Sequence, residues 1–365
     1  MATLLSIPTS VTVLSPGSSV LSTIAAAMPA GTWAQLSPRN QNTVLGVGDI
    51  TGSMLPYTNA MPWNPRRRCI EILARDHQDG AEGLGIRHAA YDEASNSFLS
   101  HGRYAQFPMG HGYDHTEVNP STGDLYHKKY GSVGSGPLHL YRQIYGQSAW
   151  TEVPQLSAGQ NIIFGTCWWS GPFTGGSGLG TQGGLAVFSS GASSGSASDG
   201  FIGIYDPVSN SWRFSSQGMS PYYGAGGNYN AVMAYSRSKN VAVYGGGNVA
   251  PQRLWKLSSN GSAASLVDAP ATISVGIHRG LLIEDPVSGN FLVLSKGLLY
   301  ELNPNGSGTW TQLTGNRTPP AGVGIPAESG GNNFVMGTAL PDHGVVAFIR
   351  QSNAGNGAFW LYKHA

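Results

Sequence analysis

Charged residues and cysteines are scarce in this sequence. Asp, Glu, Lys and Arg make up 11% of the 365 residues, where about a quarter is usual. The formal net charge is +1, so the sequence does not predict the basic face of a nucleic-acid-binding protein. Cys69 and Cys167 are the two cysteines. A disulfide framework is therefore excluded, and two free thiols that pack as small apolar groups are expected.

Long apolar runs and an early basic residue are also lacking. No stretch approaches the length that crosses a bilayer, and no Lys or Arg precedes Arg39. A secretory signal begins with a basic segment, so we expect a chain that carries no export signal of its own. Residues 1–30 are apolar and uncharged. Such an arm needs a partner, or a groove on its own domain, to cover it.

Glycine, by contrast, is abundant, with 52 residues, and aromatic residues make up 10% of the chain. This composition predicts many short strands joined by tight turns, and it argues against disorder. Apolar strands flank Pro, Asn, Asp, Ser and Gly in several segments, which is typical of hairpins. These segments are 116–131, 231–247, 281–297 and 335–350.

The hairpins belong to a repeat of about 50 to 60 residues, a period found in propeller blades. Six units of four strands open near Tyr57, Tyr113, Thr166, Tyr229, Arg279 and Asn333. The sixth unit has room for three strands before Ala365. We expect its fourth strand to come from residues 31–37, GTWAQLS, which would close the ring and remove an exposed sheet edge.

The repeat motifs resemble the kelch family of β-propellers. The residues that carry the resemblance are Gly245–Gly247 after the strand NVAVY, Tyr205–Pro207 with Trp212 in the preceding unit, and the Gly-Thr-Trp closing strands. The resemblance implies an all-β fold, a six-bladed propeller over residues 31–365 with an N-terminal arm over 1–30. It also implies that outer-strand aromatics pack between blades. These would be Trp33, Trp150, Trp212 and Trp310.

The glycine content, the missing export signal and the apolar arm also resemble propeller proteins encoded by tailed bacteriophages, which are often virion components. The resemblance implies a non-enzymatic assembly or adhesion protein, located in the virion or in the cytoplasm of the producing cell. Residues 1–30 would dock to other protein subunits, and the propeller face would bind a glycan or another subunit. No cofactor, nucleic acid or membrane is expected as a partner.

The first residues of each inner strand are expected to ring the central channel. Aromatic faces, amides and imidazoles suit a sugar, because its C–H faces stack while its hydroxyls take hydrogen bonds. The predicted ligand-binding residues are His111, Trp168, Trp169, Asn228, Asn230 and His278.

The histidine-rich segment 110–131 has several interpretations that stay open. His115 and His127 could be core residues that bond backbone inside the second blade, or Tyr113 and its neighbours could form a glycan-binding rim. A metal site is a further option, but its candidates His111, Asp114, His115 and His127 match no established ligand spacing, so no metal is predicted.

A polysaccharide lyase that cleaves uronate-containing glycans by β-elimination is the alternative function. Propeller-fold polysaccharide lyases are known, and this chain is similar to them in having His, Tyr and Arg at inner-strand openings. Elimination needs a cation beside the uronate carboxylate and a base and acid near the sugar ring. The candidates are His115, Tyr113, Tyr229 and Arg279. A complete catalytic motif is missing from the sequence, which favours a protein that is not an enzyme.

The kelch resemblance raises one more enzyme class, a copper-radical oxidase of the galactose oxidase type. That enzyme needs a Cys crosslinked to a Tyr and an appended ligand-bearing domain. Cys167 lies beside Trp168, but the propeller is expected to occupy the chain up to its last residue, so this class is set aside.

Overall fold

Six four-stranded antiparallel sheets make up most of the computed structural model. Inner strands of successive sheets contact one another around a ring, so the protein is a six-bladed β-propeller, as predicted. The structure describes residues 18–46, 54–55, 57–74, 85–104, 107, 112–129, 137–160, 165–190, 200–217, 230–247, 251–277, 279–323, 335–350 and 357–365.

Three short elements and the first three blades occupy the N-terminal part of the chain. The short elements are α1 (Val20–Ala27), β1 (Thr32–Leu36) and α2 (Gln41–Leu45). Blade 1 has β2 (Trp63–Asn64), β3 (Cys69–Ala74), β4 (Ile86–Asp92) and β5 (Ser97–Tyr104). Blade 2 has β6 (Thr116–Val118), β7 (Leu125–Lys128), β9 (Leu140–Gln143) and β10 (Trp150–Glu152), with β8 (Pro137–Leu138) and β11 (Leu156–Gln160) paired beside it. Blade 3 has β12 (Thr166–Trp169), β13 (Gly184–Ser190), β14 (Gly200–Asp206) and β15 (Ser211–Gln217).

The remaining three blades follow in chain order. Blade 4 has β16 (Val232–Ser236), β17 (Val241–Gly245), β18 (Leu254–Ser258) and β19 (Ala263–Ser265). Blade 5 has β20 (Leu281–Glu284), β21 (Phe291–Ser295), β22 (Leu298–Asn303) and β23 (Thr309–Leu313). Blade 6 takes β24 (Val335–Leu340), β25 (Val345–Arg350) and β26 (Ala358–Lys363) from the C-terminal segment. Short 3-10 helices lie at Gly315–Arg317 and Pro341–His343.

The N-terminal strand closes the ring, as the sequence predicts. β1 pairs antiparallel with β26, from Thr32 opposite Lys363 to Leu36 opposite Phe359. Each predicted blade opening lies at or a few residues before the first residue of its inner strand. The largest offset separates Tyr57 from Trp63, and Thr166 is both a predicted opening and the first residue of β12. Closure stabilises the fold because it pairs an edge that would otherwise expose free backbone groups.

Helix α1 packs over the seam between blades 6 and 1. Leu21 and Ala25 are buried in a core cluster with side chains of both blades. The N-cap residue Ser19 makes a capping box with Ser22 and donates a hydrogen bond to Glu93. Leu21, Ala25 and Met28 of the predicted arm are therefore covered by a groove on the same chain, whereas residues 1–17 lie outside the described residues.

Glu93 connects the helix to both blades at this seam. Its carboxylate accepts from the Arg68 guanidinium at 2.7 Å and lies 3.3 Å from Nε2 of His343 in the β24–β25 turn. Neither α1 nor any other helix in the described part of the chain has the length and apolar character required to cross a membrane.

Tryptophans of the outermost strands pack between blades, as predicted. The Trp33 indole donates to the carbonyl of Arg317 at 3.1 Å, that of Trp212 to Pro154 at 2.6 Å, and that of Trp310 to Val267 at 3.2 Å. Each acceptor lies just after the last strand of the preceding blade. Trp150 instead packs edge-on against Tyr104 and Phe107 of blade 1. The aromatic of each of these strands thus joins its blade to the one before.

Candidate functional site

One end of the central channel is bridged by the segments that precede the inner strands. The Asp114 carboxylate accepts from the backbone N–H of Met233 at 3.1 Å, which links blades 2 and 4. The Asn59 side-chain amide donates to the carbonyl of Gly276 at 3.4 Å, which links blades 1 and 5. Blades that are not neighbours can meet only across the axis, so these contacts narrow that end of the channel.

The other part of the channel is a cavity of about 540 Å³, to which all six blades contribute. Its lining extends to residues at the ends of the inner strands, such as Ser170, Arg237 and Asp342. We call this cavity the cup. Its apolar wall includes Met61, Met233, Leu282 and Ile283, and its polar groups are Asp114, Glu117, Ser121, Cys167, Ser170, Arg237, Glu284, Thr338 and Asp342.

Burial raises the pKa of three of the carboxyl groups in the cup. Burial raises the pKa of Asp114 to about 7, although the Met233 amide and Lys128 oppose that rise. Burial, and then Asp114, raises the pKa of Glu117 well above its usual range. Burial also raises the pKa of Glu284 to about 7, against the opposing effect of the Arg237 amide at 2.6 Å. Each of these three carboxyls is held where its ionised form is disfavoured.

The Cys167 thiol lies among these carboxyls. Burial raises its pKa well above the usual range, and the charges of Glu117, Asp114 and Glu284 raise it further. A thiol in such surroundings stays protonated and is a poor nucleophile. Cys69 is also free and buried, in blade 1.

The histidine-rich segment packs behind the cup, in the second blade. Ring nitrogen Nδ1 of His127 bonds the Thr116 hydroxyl at 3.0 Å, and its pKa falls to about 3 because of burial. His115 is 1% exposed, and burial lowers its pKa well below the usual range, although a hydrogen bond with the Lys128 backbone opposes that shift. Both rings thus lie inside the second blade: the His127 ring bonds the Thr116 hydroxyl, and the His115 ring meets the backbone of Lys128 on the paired strand.

Lys128 is a buried basic residue of this segment. It is fully buried beside His115, whose carbonyl accepts from the Lys128 backbone N–H at 2.9 Å. Burial lowers the pKa of the Lys128 ammonium to about 7, and Asp114 opposes the shift. The second blade thus holds a buried Asp–Lys pair close to the axis.

The structure places the sequence-predicted site residues in different parts of the propeller. Trp168 and Asp114 line the cup. Tyr113 is 2% exposed and packs with apolar side chains of blades 4 and 5, and Trp169 is fully buried between blades 3 and 4. Asn230 accepts from the backbone N–H of Ile277 through its carbonyl. Neither His115 nor Arg279 belongs to the described lining of the cup. The residues His111, Asn228, Tyr229 and His278 lie outside the described residues.

Several cup residues were missed from sequence. Glu117 is in the middle of β6, Glu284 is the last residue of β20 and Arg237 follows β16, whereas the prediction concentrated on the residues that open each blade. Trp63 is the first residue of β2, but the predicted opening of that blade was Tyr57. Glu117 had a signal of its own, because it is a charged residue inside a three-residue strand. Thr116 and Val118 are buried on either side of it, and alternation sends its side chain to the opposite face.

In the described part of the chain, no group of three His, Cys, Asp or Glu side chains could hold a metal ion. Asp114, His115 and His127 are thus not assembled as ligands by the part of the chain that the structure describes.

Comparison with known proteins shows the fold. A protein of unknown function from Bacteroides thetaiotaomicron is similar over 85% of this chain and 70% of its own, with 12% identity and a TM-score of 0.50. SapL1 lectin in complex with alpha methyl fucoside matches over 84% and 91% at 11% identity, TM-score 0.47. Virginiamycin B lyase from Staphylococcus aureus matches over 90% and 98% at 9% identity, TM-score 0.45. No protein-family model and no curated protein matches the sequence.

Proposed function

We propose that this propeller is a non-enzymatic binding protein and that its ligand is a glycan held in the cup. The cup itself carries the proposal. Its volume of about 540 Å³ falls in the range of about 300 to 1,000 Å³ that is usual for small-molecule sites. Apolar side chains alternate in its wall with hydroxyl and carboxyl groups, and a sugar residue offers matching C–H and hydroxyl faces.

Catalysis by elimination fits the cup poorly. A uronate substrate needs a cation beside its carboxylate, but the described lining has four carboxyl groups and one guanidinium, that of Arg237. Tyr113 and His115 are buried behind the cup. The lyase stays the alternative prediction. A rise in ultraviolet absorbance on incubation with uronate-containing polysaccharides, lost in His115→Ala, would support it and contradict binding without catalysis.

The finer assignments are also part of the proposal. We assign the blades to the kelch type, and support comes from Gly246. Its φ is +72°, and a Cβ there would lie 2.2 Å from the Val275 carbonyl oxygen of the neighbouring blade. Glycine is thus required where these strands meet.

A virion role, with docking through residues 1–30, is the second finer assignment, and it rests on the apolar composition of the arm. Because Leu21 and Ala25 belong to the core, deletion of residues 1–30 would disturb the ring. The informative deletion removes residues 1–17 and keeps α1. Loss of oligomers or of particle incorporation is expected, and an unchanged native mass with normal incorporation would contradict docking.

The experiment for the cup compares two matched insertions on a glycan array. Ala234 lines the cup on β16, so Ala234→Phe should fill it and abolish binding. Ala264 is exposed on β19, and Ala264→Phe should bind as the wild type does. Glycan binding that survives in folded Ala234→Phe would place the ligand elsewhere. If neither the wild type nor the two variants bound any glycan, the proposal would be contradicted.

A further inference from the structure

The lining of the cup has more negative than positive groups. Four carboxyls face it, whereas one guanidinium lies among its described residues. Glu284 accepts from the Arg237 amide and also feels the Arg237 charge. Asp342 accepts from the Trp63 indole N–H at 3.0 Å. These two carboxylates therefore already have donors from the protein.

The two carboxyls of the second blade differ in their partners. Asp114 accepts from the Met233 amide, and Lys128 behind it supplies a positive charge. Glu117 accepts from the backbone N–H of Val118 and has no ion pair or hydrogen bond with a side chain among the described residues. Its neighbours in the cup are Asp114, which is acidic, and Cys167, whose thiol is uncharged. Among the described residues, Glu117 thus has a backbone donor and an acidic neighbour but no positively charged partner.

The ionised form of the half-buried Glu117 is disfavoured in these surroundings, and a ligand ammonium group beside it would favour that form and bind to it. We propose that Glu117 binds the ammonium group of a glycan residue with a free amine, so that the cup selects amino sugars over neutral and acidic ones. This inference deepens the proposed function and rests on it. The charge-assisted hydrogen bond from ammonium to carboxylate is stronger than one between neutral groups.

The rest of the cup suits such a residue. Ser170 and Thr338 offer hydroxyls to the ring hydroxyls, while Met61 and Leu282 give apolar contact to its C–H groups. An acetylated amine would lose the charge and bring a methyl group toward Glu117. A uronate would place a second anion beside the carboxyls. Both differences favour the free amine.

The test is calorimetric titration at pH 7.5 with three disaccharide probes: a glucosamine dimer, its N-acetylated form and a glucuronate dimer. The amine should bind tighter than the acetylated probe by about tenfold or more, as expected for a charge-assisted hydrogen bond, and the glucuronate should not bind. Glu117→Gln keeps the shape but cannot ionise beside the ligand, so its preference for the amine should fall by about tenfold. The matched control Asp268→Asn changes an exposed carboxylate outside the cup and should keep the preference.

The outcomes separate the two proposals. Equal affinity of the wild type for amine and acetylated probes, or an unchanged preference in Glu117→Gln, would overturn the role of Glu117 and leave glycan binding intact. Tight binding of glucuronate would also overturn it. Failure of all the probes, on this titration and on the glycan array, would contradict the proposed function itself. If Glu117→Gln does not fold, the wild-type comparison of amine with acetylated probe still decides.

Discussion

Neutralising Asp114 should stabilise the propeller at high pH. An aspartate in an unfolded chain has a pKa of about 3.9, and burial raises that of Asp114 to about 7. The native state therefore binds more protons than the unfolded state between about pH 4 and pH 7, and stability falls as pH rises through that window. The shift of about 3 units corresponds to a loss of about 4 kcal/mol above pH 7.

Asp114→Asn removes this loss and keeps the shape. The amide oxygen of Asn can still accept from the Met233 N–H, which lies 3.1 Å from the native carboxylate. At pH 9 Lys128, with a pKa of about 7, is neutral in both folded proteins, so it does not mask the effect. We expect the variant to gain up to about 4 kcal/mol at pH 9 and less than about 1 kcal/mol at pH 4.

Urea unfolding followed by tryptophan fluorescence at the two pH values measures the difference. Asp268→Asn, a change at an exposed carboxylate, is the control and should shift neither midpoint. A variant that is no more stable than wild type at pH 9 would refute burial as the cause of the raised pKa. An equal gain at both pH values would refute the linkage to ionisation.

Two further predictions concern the backbone and the closing seam. Gly246→Ala should destabilise the fold by about 3 kcal/mol or more, because strain at positive φ adds to an overlap of the new Cβ with the Val275 carbonyl. Gly297 has φ +74° and open space around it, so Gly297→Ala should cost only about 1 to 2 kcal/mol. Equal losses of stability in thermal unfolding would contradict the close approach of Gly246 to Val275. At the seam, burial raises the pKa of Glu93, but its hydrogen bonds and charged partners outweigh burial and lower that pKa to about 2. The stabilisation of the fold by Glu93 is therefore complete above the unfolded pKa of about 4.3 and is lost as pH falls through about 2. Glu93→Gln should therefore unfold with a weaker pH dependence between pH 4 and pH 2 than wild type does, and identical profiles would refute this.

Blade number and closure followed from sequence because both depend on local pattern. Apolar alternation and turn residues fix each hairpin, and the period of the repeat fixes their number, as the coincidence at Thr166 shows. The Gly-Thr-Trp strand was assigned to the last blade by counting strands, and the pairing of Thr32 with Lys363 confirms that count. The outer tryptophans were predictable for the same reason, since each repeats at a fixed place in its blade.

The arm shows an intermediate case. Its apolar composition predicted that something must cover it, but sequence could not distinguish a partner from a groove on the same chain. Leu21 and Ala25 find that groove between blades 6 and 1, which are brought together only when the ring closes. The packing surface for α1 therefore does not exist in either blade alone.

The site was decided by tertiary structure. Sequence identified Asp114 and Trp168, which line the cup, but it also favoured Tyr113 and His115, which are buried behind it. Strand alternation predicts which face of the sheet each side chain lies on, as it does for Glu117. It does not predict how far along the axis the channel stays open. That depth depends on contacts across the axis, such as Met233 to Asp114 and Asn59 to Gly276. These residues are more than a hundred positions apart and meet only because six blades close at one radius.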